Sequence, residues 1–157
     1  MNGAISNWKK HIQNCYDHLN PNGYFELTEG ELKPMCDDDT LKDEHAIVQF
    51  VRLWEEAAAK LNHPFQDIRA LADVLAEVGF VDVHVQMFKW PSNPWPKDQK
   101  HKQLGYWNLD NFSAEIEGFI MAPFTRAHGW SKEEVGVFAT QVRNEMRDPR
   151  IHQYTPM

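Results

Sequence analysis

The sequence is short of cysteine, of clustered glycine and of positive charge, and each shortage removes a class of function. Cys15 and Cys36 are its two cysteines in 157 residues. Two thiols make neither a disulfide framework nor a four-ligand zinc site, so a reducing intracellular compartment, cytoplasm or nucleus, is expected. The eight glycines stand singly and no G-x-G pair occurs. The chain therefore carries no glycine-rich turn of its own that would bring backbone against a nucleotide-type cofactor. Lysine and arginine number 16 against 23 acidic residues, a net charge of −7. Nucleic-acid binding depends on basic side chains that displace condensed counterions, so no nucleic-acid partner is expected. The basic runs Lys9-Lys10 and Lys97 to Lys102 are short and read as solvated helix faces. No apolar run reaches the roughly 18 residues of a membrane span. Met1 to Lys10 lacks the apolar segment of a signal peptide.

Aromatic residues are plentiful. Six tryptophans and nine phenylalanines argue for a packed core rather than disorder. The length suits one domain, or part of one.

Helical spacing of Trp8, Ile12, Cys15, Tyr16 and Leu19 predicts a helix over 6–19 with Ser6 as N-cap, stopped by Asn20-Pro21-Asn22-Gly23. Tyr24 to Thr28 reads as a short buried strand. In the loop that follows, Cys36-Asp37-Asp38-Asp39 lacks the spaced oxygens and turn glycine of a calcium site. Helix capping is the simpler role, since Asp and Thr40 sit just before the next helix. That helix spans about 43–61, and a further one carries Ile68, Leu71, Ala72, Leu75 and Val78 up to a C-cap at Gly79. Val81, Val83, Val85 and Met87 alternate with polar residues, the pattern of a half-buried strand. A helical stretch is expected over about 98–128, kinked or ended by Pro123. Ser131 with Glu134 forms a capping box for a last helix striped by Val135, Phe138, Val142 and Met146.

Alternating strands and helices suggest a mostly parallel sheet covered by helices, an α/β fold. Two strands cannot bury five amphipathic helices, so the chain looks short of strands. At this point particular runs become recognisable. Cys15-Tyr16-Asp17-His18-Leu19-Asn20-Pro21-Asn22-Gly23-Tyr24-Phe25-Glu26-Leu27 resembles a helix-turn-strand segment of class I S-adenosylmethionine methyltransferases, with Asn20 and Asn22 in place of the commoner lysine and glycine. Ala72 to Val83 resembles the later helix and sixth strand. Phe88-Lys89-Trp90-Pro91, Trp95-Pro96-Lys97-Asp98, Leu104-Gly105-Tyr106-Trp107-Asn108-Leu109, Phe124-Thr125-Arg126 and Gly129-Trp130-Ser131 are similar to runs of the fungal LaeA-like methyltransferases, a family tied to secondary metabolism.

The resemblance implies a partial class I methyltransferase (Rossmann-like) fold. It would be the C-terminal part of one methyltransferase domain over 1–157, retaining the fifth strand (24–28) and the sixth (81–87), with a helical substrate cap over 97–130. The chain would start after the fourth strand and stop at Ile151 to Met157, where a seventh strand, lying between the fifth and sixth, would begin. S-adenosylmethionine is the parent family's cofactor and is not expected to be bound by this chain alone. On the acceptor side, Glu26 and Glu29 would lie near the cleft, Glu29 as a substrate contact. Trp107 and Asn108 would sit in the cap as an aromatic wall with one amide, with His128 and Trp130 as further candidates. No His, Cys or Asp set has nucleophile-base logic, and no catalytic or metal-binding residue is assigned. The expected function is a fragment or degenerate copy of a methyltransferase acting on a small molecule or protein. The alternative is a non-catalytic interaction module of a nuclear regulatory complex, with a protein partner covering the exposed sheet edges.

Overall fold

The computed structural model describes residues 4–157; Met1 to Gly3, at the head of the segment read against a signal peptide, lie outside it. The element order is α1 (Trp8–His18), α2 (Ala46–Lys60), α3 (Leu71–Val78), β1 (Lys89–Pro91), α4 (Gln99–Pro123), a π-helical turn (Phe124–His128), α5 (Lys132–Met146) and β2 (Tyr154–Pro156).

The helix signals act as local chemistry requires. Asn7, one residue later than the expected Ser6, caps α1, because its side chain accepts from Lys10 N at 2.9 Å. Gly79 ends α3 at φ 120°, a backbone angle that side-chain-bearing residues rarely adopt. Pro123 ends the α-helical part of α4, since a proline nitrogen has no hydrogen to donate back along the helix. The chain then takes one π-helical turn and leaves through Gly129 at φ 73°. Ser131 and Glu134 make both bonds of the capping box. The acidic loop does not cap α2. Its N-terminal amide at Ile47 instead donates to the Glu145 carboxylate of α5, at 3.0 Å.

Two apolar clusters result. The larger joins α2, α4, the π-turn and α5 through Phe50, Ile116, Ile120, Phe124, Val135, Phe138 and Val142. The smaller packs Trp8 and Ile12 of α1 on Leu71 of α3, with Phe25, Leu27 and Phe80 against them.

The strand expectations need correction. Neither 24–28 nor 81–87 forms a ladder, and among the described residues the two strands are β1 and β2, paired antiparallel with Trp90 opposite Thr155. A strand exists only where a neighbour accepts its hydrogen bonds. The row that would join the two runs is supplied by the C-terminal segment, and it pairs beyond both of them. On one side it bonds 31–35, through Glu31 N to Pro156 O and the reciprocal Met35–Tyr154 pair. On the other it bonds 88–92, through the reciprocal Phe88–Met157 pair and Ser92 N to Gln153 O. The terminal residues thus form a short strand between 31–35 and 88–92, where the resemblance had implied that the joining strand would be missing, while Val81 and Val85 stay exposed.

Candidate functional site

The C-terminal segment alternates like any extended chain, so successive side chains face opposite ways. His152 and Tyr154 face the acidic loop. His152 Nδ1 donates to Asp38 Oδ2 at 2.5 Å, its ring stacks on Trp95 with centroids 4.8 Å apart, and Tyr154 Oη donates to Asp37 at 2.8 Å. Lys89 completes the cluster, 2.5 Å from Asp37 and 4.7 Å from the centroid of the Tyr154 ring. Hydrogen bonds from Cys36 Sγ, then His152 and Thr40, hold the Asp38 carboxyl below its ordinary value of 3.8. The hydrogen bond from Lys89, then that from Tyr154, lowers Asp37 likewise, and burial first pushes the Tyr154 phenol up. Asp37 and Asp38 therefore latch the C-terminal segment, and among the described residues no group of three or more His, Cys, Asp or Glu is arranged to hold a metal ion.

Gln153 and Thr155 face the other way, into a cavity of about 70 Å³ under the segment. Its walls are Ile47, Phe50, Val51 and Trp54 of α2, Asn108 and Phe112 of α4, and Met146 of α5, with Glu31, Leu32, Pro34 and Ser92 around the segment. Most of this lining is apolar or aromatic, with a few polar groups, the usual make-up of a small-molecule site. Glu31 is held by an ion pair with Arg69. Asn108 Nδ2 donates to Pro91 O at 3.0 Å. Gln153 is fully buried, and neither its Nε2 nor its Oε1 has a partner. An unpaired buried polar group costs roughly 1–3 kcal/mol.

The floor of the segment is tied together by hydrogen bonds. Buried Asn93 donates to the carbonyls of Asp148 and Ile151 and accepts from Trp95 N, while Trp95 Nε1 donates to Gln153 O at 2.9 Å. Gly105 lets α4 approach this loop, since a Cβ there would stand 2.2 Å from Asn93 O.

The predicted site residues divide accordingly. Asn108 lines the cavity; Trp107 does not and is 67% exposed. Consecutive helix residues point about 100° apart, so only one of the pair can share the face of Phe112, four residues on from Asn108. Glu29 is half-buried and Glu26 exposed, and the cavity is reached instead by Glu31. His128 and Trp130 serve packing. His128 Nε2 donates to Leu53 O at 2.9 Å, and Trp130 packs edge-on to Phe124 and Phe138. Gln153 and Glu31 were not legible as site residues, for nothing local marks them.

Among the described residues no glycine-rich turn is arranged to receive S-adenosylmethionine. A cofactor turn needs open backbone, whereas Gly23, Gly79 and Gly105 are closed off by the chain's own atoms, and Gly129 and Gly136 stand apart in open space. No helix among the described residues is long and apolar enough to cross a membrane.

No family model matches the chain, and no solved structure does. Among curated proteins it is 33% identical over 146 residues, 93% of its length, to the probable methyltransferase tdiE of Emericella nidulans. It is 32% identical over 153 residues, 97% of its length, to the secondary metabolism regulator laeA of Aspergillus fumigatus. It is 32% identical over 152 residues, again 97% of its length, to the methyltransferase pytC of Aspergillus terreus. The chain spans 46%, 41% and 47% of these three relatives.

Proposed function

The chain is a homologue of the fungal LaeA-like methyltransferases along nearly all of its own length, and from that kinship we propose that it is the acceptor-side part of an S-adenosylmethionine-dependent methyltransferase of the secondary-metabolism type, a fragment or degenerate copy. The observation that carries this reading is the pairing of a small, largely apolar cavity lined in part by Asn108 with the lack, among the described residues, of a glycine turn for a donor. Methyl transfer depends on holding acceptor and donor in line. This chain's residues supply the first half of that task. Phe50, Trp54 and Phe112 exclude water, and Asn108 orients a polar edge. Glu29, Trp107 and Asn108 were the expected acceptor contacts; with Trp107 turned outward, Asn108 is the one kept in this reading. The donor has to be held by residues other than these.

Two measurements test the reading. Calorimetric titration of S-adenosylmethionine into the 157-residue chain is expected to show no binding heat, and micromolar binding would overturn it. A chimera in which residues 4–157 replace the matching segment of tdiE is expected to transfer labelled methyl to a product in an Emericella extract. A chimera that binds the donor but labels nothing would rule out an intact acceptor side and leave only the degenerate copy.

A second reading, a non-catalytic interaction module, is favoured by one observation. Val81 and Val85 lie on backbone that forms no ladder and are 83% and 67% exposed. Exposed apolar backbone of this kind is a template for another strand. Val81→Lys with Val85→Lys is expected to abolish retention of a partner from fungal nuclear extract; unchanged retention, or none by the parent chain, counts against this reading.

A further inference from the structure

We infer that this chain pairs with a second copy of itself through residues 83–87, antiparallel about a two-fold axis that passes between the two Val85 residues. This pairing depends on neither reading of the function given above. It starts from backbone. Among the described residues, no amide or carbonyl from 81 to 87 bonds to another backbone group. Yet the run leads directly into β1 through Phe88, which already makes a reciprocal ladder pair with Met157. Val85 is 67% exposed and Met87 43%, and His84 and Gln86 beside them are exposed as well. Unpaired backbone of this kind recruits another strand.

The sequence says which strand fits. Val83, Val85 and Met87 alternate with His84 and Gln86. A ladder keeps an apolar face only when apolar residues stand opposite apolar ones, which excludes every register offset by one residue. The run is also bounded. Asp82 has φ 54°, outside the extended region, and Phe88 is committed to Met157. Within those bounds, a two-fold at Val85 sets Val85 against Val85, Val83 against Met87 and His84 against Gln86. A two-fold at His84 would oppose two histidines and draw in Asp82, and one at Gln86 would draw in Phe88. The Val85 register keeps every pair inside 83–87 and opposes no like charges, and one patch serves both copies, as a closed pair requires. Residues 83–87 carry no acidic side chain, so the net charge of −7 lies elsewhere. The other run without a ladder, 24–28, does not pair with itself in this way, because its central Glu26 would face a second Glu26. Five residues a side make a small contact, in the weak class below about 1,200 Å², so the dimer forms only at high concentration.

Sedimentation equilibrium of the 157-residue chain, from low micromolar to near-millimolar concentration, reads the association. The average mass is expected to rise from that of one chain to that of two and to stop there. Amide exchange at 83–87, fast in the dilute monomer, is expected to slow in step. The two-fold is tested by Val85→Lys and Val85→Glu. Side chains directly opposite in a ladder stand about 4.5–5.5 Å apart, so each variant alone is expected to stay monomeric, and an equimolar mixture to regain a dimer holding one of each. Val137→Lys, at a valine of α5 that is 63% exposed, is expected to dimerise like the parent. A parent that stays monomeric throughout would overturn the inference, as would growth beyond two chains. A mixture that stays monomeric would remove the two-fold at Val85, and loss of the dimer in Val137→Lys would reduce the association to unspecific apolar contact. Should either charged variant lose the helical far-ultraviolet signal, the parent's mass limit and its exchange at 83–87 decide alone.

Discussion

His152 Nδ1 donates to Asp38 Oδ2 at 2.5 Å, joining positions 114 apart in sequence, and the same carboxylate accepts from Cys36 Sγ and Thr40. Thr40 Oγ1 in turn accepts from His152 N at 2.8 Å. The loop over 36–40 therefore holds the C-terminal segment by side chain and by backbone together.

This latch should fail in acid. Asp38 has a folded value below its ordinary 3.8, and Asp37 shifts the same way. Asp148 is lowered to about 2, chiefly by its hydrogen bond from Arg150. Such groups contribute stability that is fully present above the unfolded value and lost as pH falls through the folded one. The thermal midpoint is expected to be level from neutrality to about pH 5, then to fall between about pH 4 and pH 2. Asp38→Asn should flatten part of that slope. An identical slope in the variant would show that the latch contributes nothing to acid sensitivity.

Two glycines in helices should respond oppositely to alanine. At Gly105 of α4 a Cβ would press on Asn93 O and C, backbone atoms that cannot swing away. Gly105→Ala is expected to destabilise by roughly 1–3 kcal/mol through overpacking. At Gly136 of α5 a Cβ meets nothing within 4 Å, so Gly136→Ala should stabilise by roughly 0.5–1 kcal/mol. Urea unfolding of the two variants checks both signs.

What was legible in the sequence was local. The Ser131–Glu134 box, the Gly79 and Gly129 stops and the break at Pro123 each act within one helical turn, and all four stand where the pattern put them. The valine alternation over 81–87 was read as a half-buried strand, yet burial of a strand depends on a neighbour that periodicity cannot supply. Nothing within a few residues of Gln153 marks it as part of a cavity wall. Its environment is assembled from α2, α4 and α5, contacts too distant in sequence to be read. Trp107 was chosen for its chemistry, and helix phase put Asn108 inward in its place.

The unpartnered Gln153 amide has a consequence for stability. Methionine is close in length and carries no strong hydrogen-bonding group. Gln153→Met removes two orphaned polar atoms while keeping the cavity filled. It is expected to leave stability unchanged or raise it by up to about 2 kcal/mol in chemical denaturation. A loss of that size would mean that the amide is already paired in the chain.

The last prediction concerns what the C-terminal segment does for the rest of the chain. None of the thirteen residues of the larger core belongs to 152–157, so deleting 152–157 should leave the helices joined and the far-ultraviolet helical signal nearly intact. The segments on either side are different. The amides of Glu31 and Met35 are paired by the terminal residues on one side, and those of Phe88 and Ser92 on the other. Opening of a segment that is held by few backbone bonds takes little free energy, and hydrogen exchange reports it directly. In the intact chain, 31–35 and 88–92 are expected to exchange slowly, and 24–28 and 81–87, which form no ladder, quickly. In the chain lacking 152–157, the first two should become as fast as the second two, with α4 and α5 unchanged. Slow exchange over 81–87 in the intact chain would restore the strand that the alternation predicted. Protection of 31–35 that survives the deletion would show that this segment is held by the helices instead, because no bond from the C-terminal row would then remain to explain it.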